Sequence, residues 1–597
     1  MSKNIPRVEP PYTIKEGYLA IQINEDCSRK LCNFVPYIVS EESYDDGINV
    51  KTHLRIGAVH SDGRVLPEIT INGTDFSNIS NWVLEHWGAE AVIEPGGRVK
   101  EQVRHAIQLT AMDPEVIKTT FFCHTGWRCI DGQWQFLMPA SPDDVEPEVN
   151  VVLQDKLSNY FFEHQYSKED VENFFIIEQY PPAKKEIVLP LIAYAFLSPI
   201  NHFLREAGCE PKFLLFLNGK TGTQKSTLSA LFLSLFGRFT SSADLPMSFK
   251  DTANSIVRKA YDQKDILTCV DDFHPTRSSY EDNKLRATLQ AVMRAYGDRM
   301  GRGRLRPDST LLDSRPPQGN TLVTLEYIPD LAESDLARFF TLEFHEQDVD
   351  IDNLTAFQKA AEQGVFRRCM YGFTCWIRDI FLLDSKSKKE FINDLQEELE
   401  SSRYFFRQAT PNLHMRIYEN YAFLKLGYHY YLRFLRDMDI IDDDSVGHRL
   451  KEFANIAGEI AIQQNRRINE ESTTKLFIQK FFSLLDNEAI YVVARGEDFN
   501  PADSSFVGFE DEEYFYLNRE NTIKAIKKAC KEEDTNFSFP AKVILKALAD
   551  DSLIDTFINQ KGQKEYTKQI KIRKKPRRLI LLRKKEAYQV AGVVDQE

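Results

Sequence analysis

FLLFLNGKTGTQKSTLSALFLSLFG, residues 213–237, decides the reading of this chain. Phe213 to Leu217 are five consecutive apolar residues, the pattern of a strand buried on both faces. Asn218 to Gln224 form a glycine-containing polar turn, and an apolar helix pattern follows Lys225-Ser226. A strand, a glycine-rich turn, Lys-Ser and a helix are the context that a phosphate-binding loop requires. Gly219, Lys220, Thr221, Gly222, Thr223, Gln224, Lys225, Ser226 and Thr227 would then wrap a nucleotide's phosphates with backbone amides at a helix N-terminus. Lys225 would neutralise the β- and γ-phosphates of ATP, and Ser226 would hold Mg²⁺. Gln224 stands where the usual pattern has its second glycine. It is acceptable there only if its backbone stays out of strained φ/ψ space. The competing reading is a glycine-rich turn without a ligand.

Downstream residues extend the first reading. Ile266–Val270 predicts a second buried strand ending in Asp271-Asp272, and carboxylates at that end of a strand lie at the ligand edge of an α/β sheet. Asp271 would contact Mg²⁺, directly or through water, and Asp272 would polarise the attacking water. A surface acidic pair capping the next loop is the alternative. Thr321–Leu325 predicts a third strand, leaving Thr324 and Glu326 as rival candidates for a γ-phosphate sensor. Arg338 precedes a further strand and would either reach a neighbour's γ-phosphate or form a structural ion pair. Between these lie Arg299, Arg302, Arg304 and Arg306. They predict a basic hairpin, either gripping DNA phosphates in a channel or joining subunits.

The whole chain has 597 residues, 42% hydrophobic and 27% charged, so several packed domains are expected and wholesale disorder is not. We expect a multidomain α/β protein. Its parts would be a β-rich N-terminal domain (1–145), a helical connector (146–210), a nucleotide-binding core (211–350), a helical region (351–490) and a C-terminal domain (491–597). In the first, Asp131-Gly132 is the dipeptide of a two-residue hairpin turn. That register pairs Cys129 with Trp134 and Trp127 with Phe136, placing four apolar side chains on one face as domain core. In the last, Tyr514–Leu517 reads as a strand, and Arg519–Lys531 and Pro540–Ala549 as helices. Tyr566–Ile572 and Leu579–Lys584 read as strands joined by Arg573–Arg578. Two helices before a basic hairpin outline a winged helix.

Net charge is −14, yet residues 561–585 hold twelve Lys/Arg and one acid, a local +11 on a body of −25. Such a block predicts a polyanion-binding element, with a solvated basic tail as the alternative. Arg573, Lys574, Lys575, Arg577 and Arg578 would contact DNA backbone, while Lys542 and Lys546, sharing a helix face, would sit against bases. None of the nine cysteines forms a C-x-x-C pair, which fits a reducing compartment. With no signal-like start, and prolines interrupting the uncharged stretch 187–204, a cytoplasmic protein without a membrane span is expected.

Together these residues resemble a known group. G-x-x-G-T-x-K-S is similar to the phosphate loop of MCM helicases, and Ala337-Arg338-Phe339 to their arginine finger. The hairpin His124–Trp134, the segment Asp244–Thr252 and Val270–Pro275 resemble the replication proteins of staphylococcal cassette chromosomes and pathogenicity islands. Those are MCM-like, self-loading AAA+ helicases. The resemblance implies a β-rich N-terminal region, an AAA+ core and a C-terminal winged helix. It also implies a ring, taken as a hexamer, acting on replication-origin, single-stranded and forked DNA. Hydrolysis would occur at subunit interfaces, with Lys225, Ser226, Asp271 and Asp272 from one subunit and Arg338 from the next. The rival readings are an origin-binding initiator and a DNA-dependent ATPase that remodels another protein without unwinding.

Overall fold

The computed structural model describes residues 7–142, 149–276, 278–299, 314–329, 331, 333–470, 473–500, 503–533, 537, 539–558, 564–572 and 575–591. Arg302, Arg304, Arg306, Arg573 and Lys574 lie outside them. The protein is a mixed α/β, multidomain chain built around a parallel five-stranded sheet.

The N-terminal part combines a three-stranded sheet (Tyr12–Lys15, Tyr18–Gln22, Ser28–Cys32) with a five-stranded one. In the latter, Phe34–Asp45, Val50–His60 and Val65–Asn72 form an antiparallel meander, and Ile117–Phe122 runs parallel beside the first. Helices Ile79–Trp87 and Val99–Thr110 cover one face and share its core. In the second helix the buried residues are Val99, Val103, Ala106, Ile107 and Thr110, an amphipathic stripe.

Gly126–Ile130 and Gln133–Leu137 form the expected hairpin, with Cys129 opposite Trp134 and Trp127 opposite Phe136. Asp131 and Gly132 both have positive φ, 49° and 83°, as this turn requires. The expected face is corrected in two respects. Cys129 is exposed, and the hairpin packs away from the N-terminal core. Trp127 belongs to the large central core, donating its indole N–H to the Pro199 carbonyl at 2.8 Å. The boundary expected at 145 therefore cuts across packed residues.

The parallel sheet runs Met247–Ser248, Leu267–Phe273, Asn320–Leu325, Leu214–Gly219, Phe339–Phe344. The phosphate-loop strand is thus central, and the acid strand lies one strand away, beyond Asn320–Leu325. Helix Lys185–Leu197 is buried from Ile187 onward, with Pro190 inside it. Its Tyr194 hydroxyl donates to the Phe213 carbonyl at 2.9 Å, which fixes the start of the phosphate-loop strand. The stretch Lys185–Glu206 is long and apolar enough to cross a membrane, but 94% of its most apolar window is buried within the fold.

Helices Ile351–Glu362, Val365–Phe381, Ser385–Ala409, Met415–Asp437 and Asp443–Glu470 follow and extend the same core. Helix Thr473–Asp486 does not: Phe477, Ile478, Phe481 and Phe482 pack into the C-terminal core, so the boundary expected at 490 falls inside one cluster. That unit holds a sheet ordered Tyr491–Ala494, Phe506–Glu510, Tyr514–Leu517, Lys575–Arg583, Lys568–Ile572, with helices Arg519–Glu532 and Ala541–Asp550. Within the segment expected to join the two strands, Arg573–Arg578, the described residues from Lys575 onward are strand. Ile580–Arg583 pairs with Tyr514–Leu517, while Lys575–Leu579 pairs with Lys568–Ile572, so the hairpin overhangs the sheet.

A candidate nucleotide-binding site

The phosphate loop leaves the C-terminal end of the central strand and enters helix Lys225–Leu233. Gly219 has no room for a side chain: a Cβ there would lie 2.5 Å from the Phe344 carbonyl oxygen. Gln224 has φ 62° and ψ 19°, left-handed space, contrary to the sequence expectation. Its side chain compensates in part, because Thr227 Oγ1 donates to Gln224 Oε1 at 2.9 Å. Lys225 folds back onto the loop, donating to the Gly219 and Lys220 carbonyls at 2.5 and 2.7 Å and to Thr223 Oγ1 at 3.2 Å. Burial pulls its ammonium below the usual lysine range, with Glu326 and Asp271 opposing. A buried cation hydrogen-bonded only to neutral oxygens is a group suited to an incoming phosphate.

The acid strand meets this loop. Ser226 Oγ donates to Asp271 Oδ1 at 2.7 Å, and Thr324 Oγ1 donates to the same oxygen at 2.5 Å. Thr324 Oγ1 also accepts the Asp272 backbone N–H at 3.0 Å. The strand runs on through Phe273 instead of stopping at Val270. It bulges between Val270 and Phe273, with Asp272 at φ 75°. A bulge re-aims a side chain, and strain of this kind is concentrated at functional sites. Asp272 consequently faces Lys250, Nζ 3.2 Å from Oδ2, and His274, Nδ1 3.1 Å from Oδ1. Sequence reasoning gave neither residue a role, although both sat inside segments it singled out. Glu326 stands at the rim, accepting from Thr221 Oγ1 at 2.5 Å. Of the two sensor candidates, Thr324 is the one placed between the acids.

A cleft of about 220 Å³ is lined by Thr221, Gly222, Gln224 to Thr227, Asp272, Phe273 and Thr324 to Glu326. The donor set fits a magnesium nucleotide: a serine hydroxyl and a carboxylate for a hard cation, amides and a lysine for phosphate. Behind the loop, Asn218 Nδ2 donates to Glu343 Oε2 at 2.7 Å and Arg467 Nη2 to Glu343 Oε1 at 2.6 Å. This chain, which the sequence did not reveal, ties helix Asp443–Glu470 to the phosphate-loop strand.

Arg338 is at the other end of the sheet. Leu214 pairs with Phe339 and Gly219 with Phe344, so the arginine precedes the N-terminal end of its strand. Six residues of strand separate it from its own phosphate loop, about 20 Å. It pairs with Asp335 at 2.5 Å and Asp298 at 2.8 Å, and its Nε is buried without a partner. Asn420 and Gln464 of the helical region bond the Ala337 and Leu336 carbonyls and hold this turn. Arg299 points inward, donating to the Pro211 and Pro317 carbonyls, and is structural.

In the C-terminal unit Lys542, Lys546 and Lys575 are exposed. Arg577 lies over the Phe499 ring, and Arg578 pairs with Glu565 at 3.0 Å. Two of the five expected backbone contacts are therefore engaged within the protein.

No family model matches the chain, and no curated protein matches it. Among solved structures, "SCCmec type IV Cch - active helicase" is similar over 98% of this chain and 99% of that one, with TM-score 0.57 and 13% identity. The likeness is one of fold. The C-terminal region of NrS-1 covers 71% of this chain and 87% of its own at TM-score 0.23 and 13% identity. A JCV helicase covers 44% and 73% at TM-score 0.19 and 15% identity.

Proposed function

We propose that this protein is an ATP-hydrolysing DNA helicase that initiates replication of a mobile genetic element, an MCM-like AAA+ enzyme working as a cytoplasmic ring. The observation that carries the reading is the bond from Ser226 of the phosphate loop to Asp271 of the acid strand, with Thr324 between the acids. ATP is the substrate. Lys225 would leave the loop carbonyls for the β- and γ-phosphates, and Ser226 and Asp271 would hold Mg²⁺. That ion, when bound, neutralises charge on the phosphates. Asp272 would orient and deprotonate water, and Arg338 of a neighbouring chain would offset charge at the γ-phosphate. The exposed lysines of the C-terminal unit would bind the origin. The similarity in fold to a protein described as an active helicase supports the same reading.

The test is ATP turnover by the purified protein with and without forked DNA, together with strand displacement. Lys225→Ala should reduce turnover at least 100-fold, and Asp272→Asn should bind ATP without hydrolysing it. Wild-type turnover in either variant would overturn the site. Turnover without strand displacement would favour the remodelling ATPase.

A further inference from the structure

Strand Phe339–Phe344 carries one charged side chain, Glu343, and it is the strand's only residue that is not buried. A strand covered on both faces is normally apolar throughout, so the carboxylate needs a reason. Glu343 is the cross-strand partner of Asn218, as Phe344 is of Gly219, which puts it where the phosphate loop begins. Thr221, the first loop residue lining the cleft, is three residues past Asn218, at most about 10 Å away. An anion this close opposes the binding of a triphosphate. Its surroundings do not cancel it. A cavity of about 650 Å³ beside the loop is also lined by Glu326, Glu346, Asp348, Lys184, Lys220 and His345. Lys184 is taken by Asp348 at 2.6 Å. That leaves Lys220 and His345 facing Glu326, Glu346 and Glu343, a balance that is acidic even with the imidazole protonated. Arg467, in the last turn of helix Asp443–Glu470, supplies the missing cation, with Nη2 on Glu343 Oε1 at 2.6 Å. The other carboxylate oxygen accepts Asn218 Nδ2 at 2.7 Å. Asn218 Oδ1 is buried and has no partner among the described residues, so the bond to Glu343 is what orients this amide.

We propose that Arg467 is a positioning residue for nucleotide binding: it neutralises Glu343, so that the carboxylate can hold Asn218 and the start of the phosphate loop without repelling the phosphates. The inference rests on the nucleotide reading of the cleft and deepens it. Among the described residues the Arg467 side chain has Glu343 as its one hydrogen-bond partner, so it acts on the loop through that residue and not by touching a phosphate. The arrangement is also tolerant of a neutral replacement. An amide at position 343 can accept from Arg467 and donate to the partnerless Asn218 Oδ1, which keeps the geometry and removes the charge.

The test is the dissociation constant of methylanthraniloyl ATP with Mg²⁺, titrated against the full chain at low and at high salt, with urea unfolding of every variant alongside. Arg467→Ala should weaken binding about fivefold at low salt and by less at high salt, because the exposed charge is then screened. Glu343→Gln should tighten binding about twofold, since Arg467 is left with an uncompensated charge. The double variant Arg467→Ala/Glu343→Gln should return to within about twofold of wild type, a rescue that a packing role for the arginine would not show. If Arg467→Ala fails to fold, Arg467→Gln serves the same comparison. Wild-type affinity in the Arg467 variant overturns the inference, as does a loss that salt leaves unchanged or that Glu343→Gln does not rescue. A wild-type chain that binds no nucleotide overturns the nucleotide reading and this inference together. If the wild type binds ATP without hydrolysing it, the proposed enzyme alone falls, and the affinities still decide the role of Arg467.

Discussion

Gln224 holds a backbone conformation that costs an L-residue about 1–2 kcal/mol, yet it sits at the turn into the phosphate-loop helix. The side-chain bond from Thr227 recovers roughly 1 kcal/mol. Gln224→Gly exchanges that bond for relief of strain and should change stability by less than about 1 kcal/mol. Gln224→Val loses the bond and keeps the strain, so it should cost about 1–2 kcal/mol more, measured by urea unfolding. Equal stability of the two variants would remove the strain argument. Asp262 gives the clearest pH dependence. It closes helix Ala253–Asp262, and its carbonyl accepts the Thr125 N–H at 2.9 Å. Burial pushes its carboxyl up to about 7, with Arg258 pulling back and Asp46 pushing further. The folded protein therefore holds a proton, between the ordinary value of 3.8 and about 7, that the unfolded chain has released. Stability from this group falls as pH rises through that window and is lost above it. Asp262→Asn should be near neutral at pH 4 and stabilising by about 1–3 kcal/mol at pH 8. No gain at pH 8 would mean that Arg258 keeps the carboxylate ionised at no cost.

Strand polarity makes the argument for Arg338. Parallel strands put the loop at one end of the sheet and the arginine at the other, and no side chain spans the distance between. Arg338→Ala should keep ATP binding and lose hydrolysis, and so should Lys225→Ala lose hydrolysis. Mixed assemblies with verified subunit exchange would contain some interfaces with an intact loop and an intact arginine, and should recover turnover. If no activity returns, Arg338 serves only Asp298 and Asp335. At this scale the sequence was uneven. Continuous apolar runs such as Phe213–Leu217 announced the central strands, and Asp131-Gly132 fixed a register to the residue. The helix Val99–Thr110 passed unread although its buried positions have helical spacing, because the surrounding strands set the expectation. The bulge at Asp271-Asp272 was invisible, since it depends on pairing with Asn320–Leu325, about fifty residues on. Lys250 and His274 acquire meaning only once that bulge turns Asp272 toward them.

The molecule as a whole divides by its cores rather than by its polar stretches. The boundaries expected at 145 and 490 follow composition, but a domain boundary is defined by few crossing contacts, and composition does not count contacts. Trp127 and Phe477 both lie on the unexpected side. This sets where the chain should be cut. A chain ending at 490 would leave Phe477, Phe481 and Phe482 without the C-terminal core they fill, so it should aggregate. Removal of residues 473–597 takes that helix with its partners and should leave a soluble protein. Because the deleted unit carries the +11 block, salt-dependent binding to origin DNA should vanish while DNA-independent ATP turnover survives. Within the intact chain the hairpin's charges are not equivalent. Lys575→Ala should lower the salt slope of binding by about one unit, as expected for one lost phosphate contact. Arg577→Ala should leave the slope nearly unchanged and lower the unit's stability instead, because that guanidinium is spent on the Phe499 ring. Undiminished origin specificity in the protein lacking 473–597 would move DNA recognition to the N-terminal sheet and make the overhanging hairpin a solvated tail.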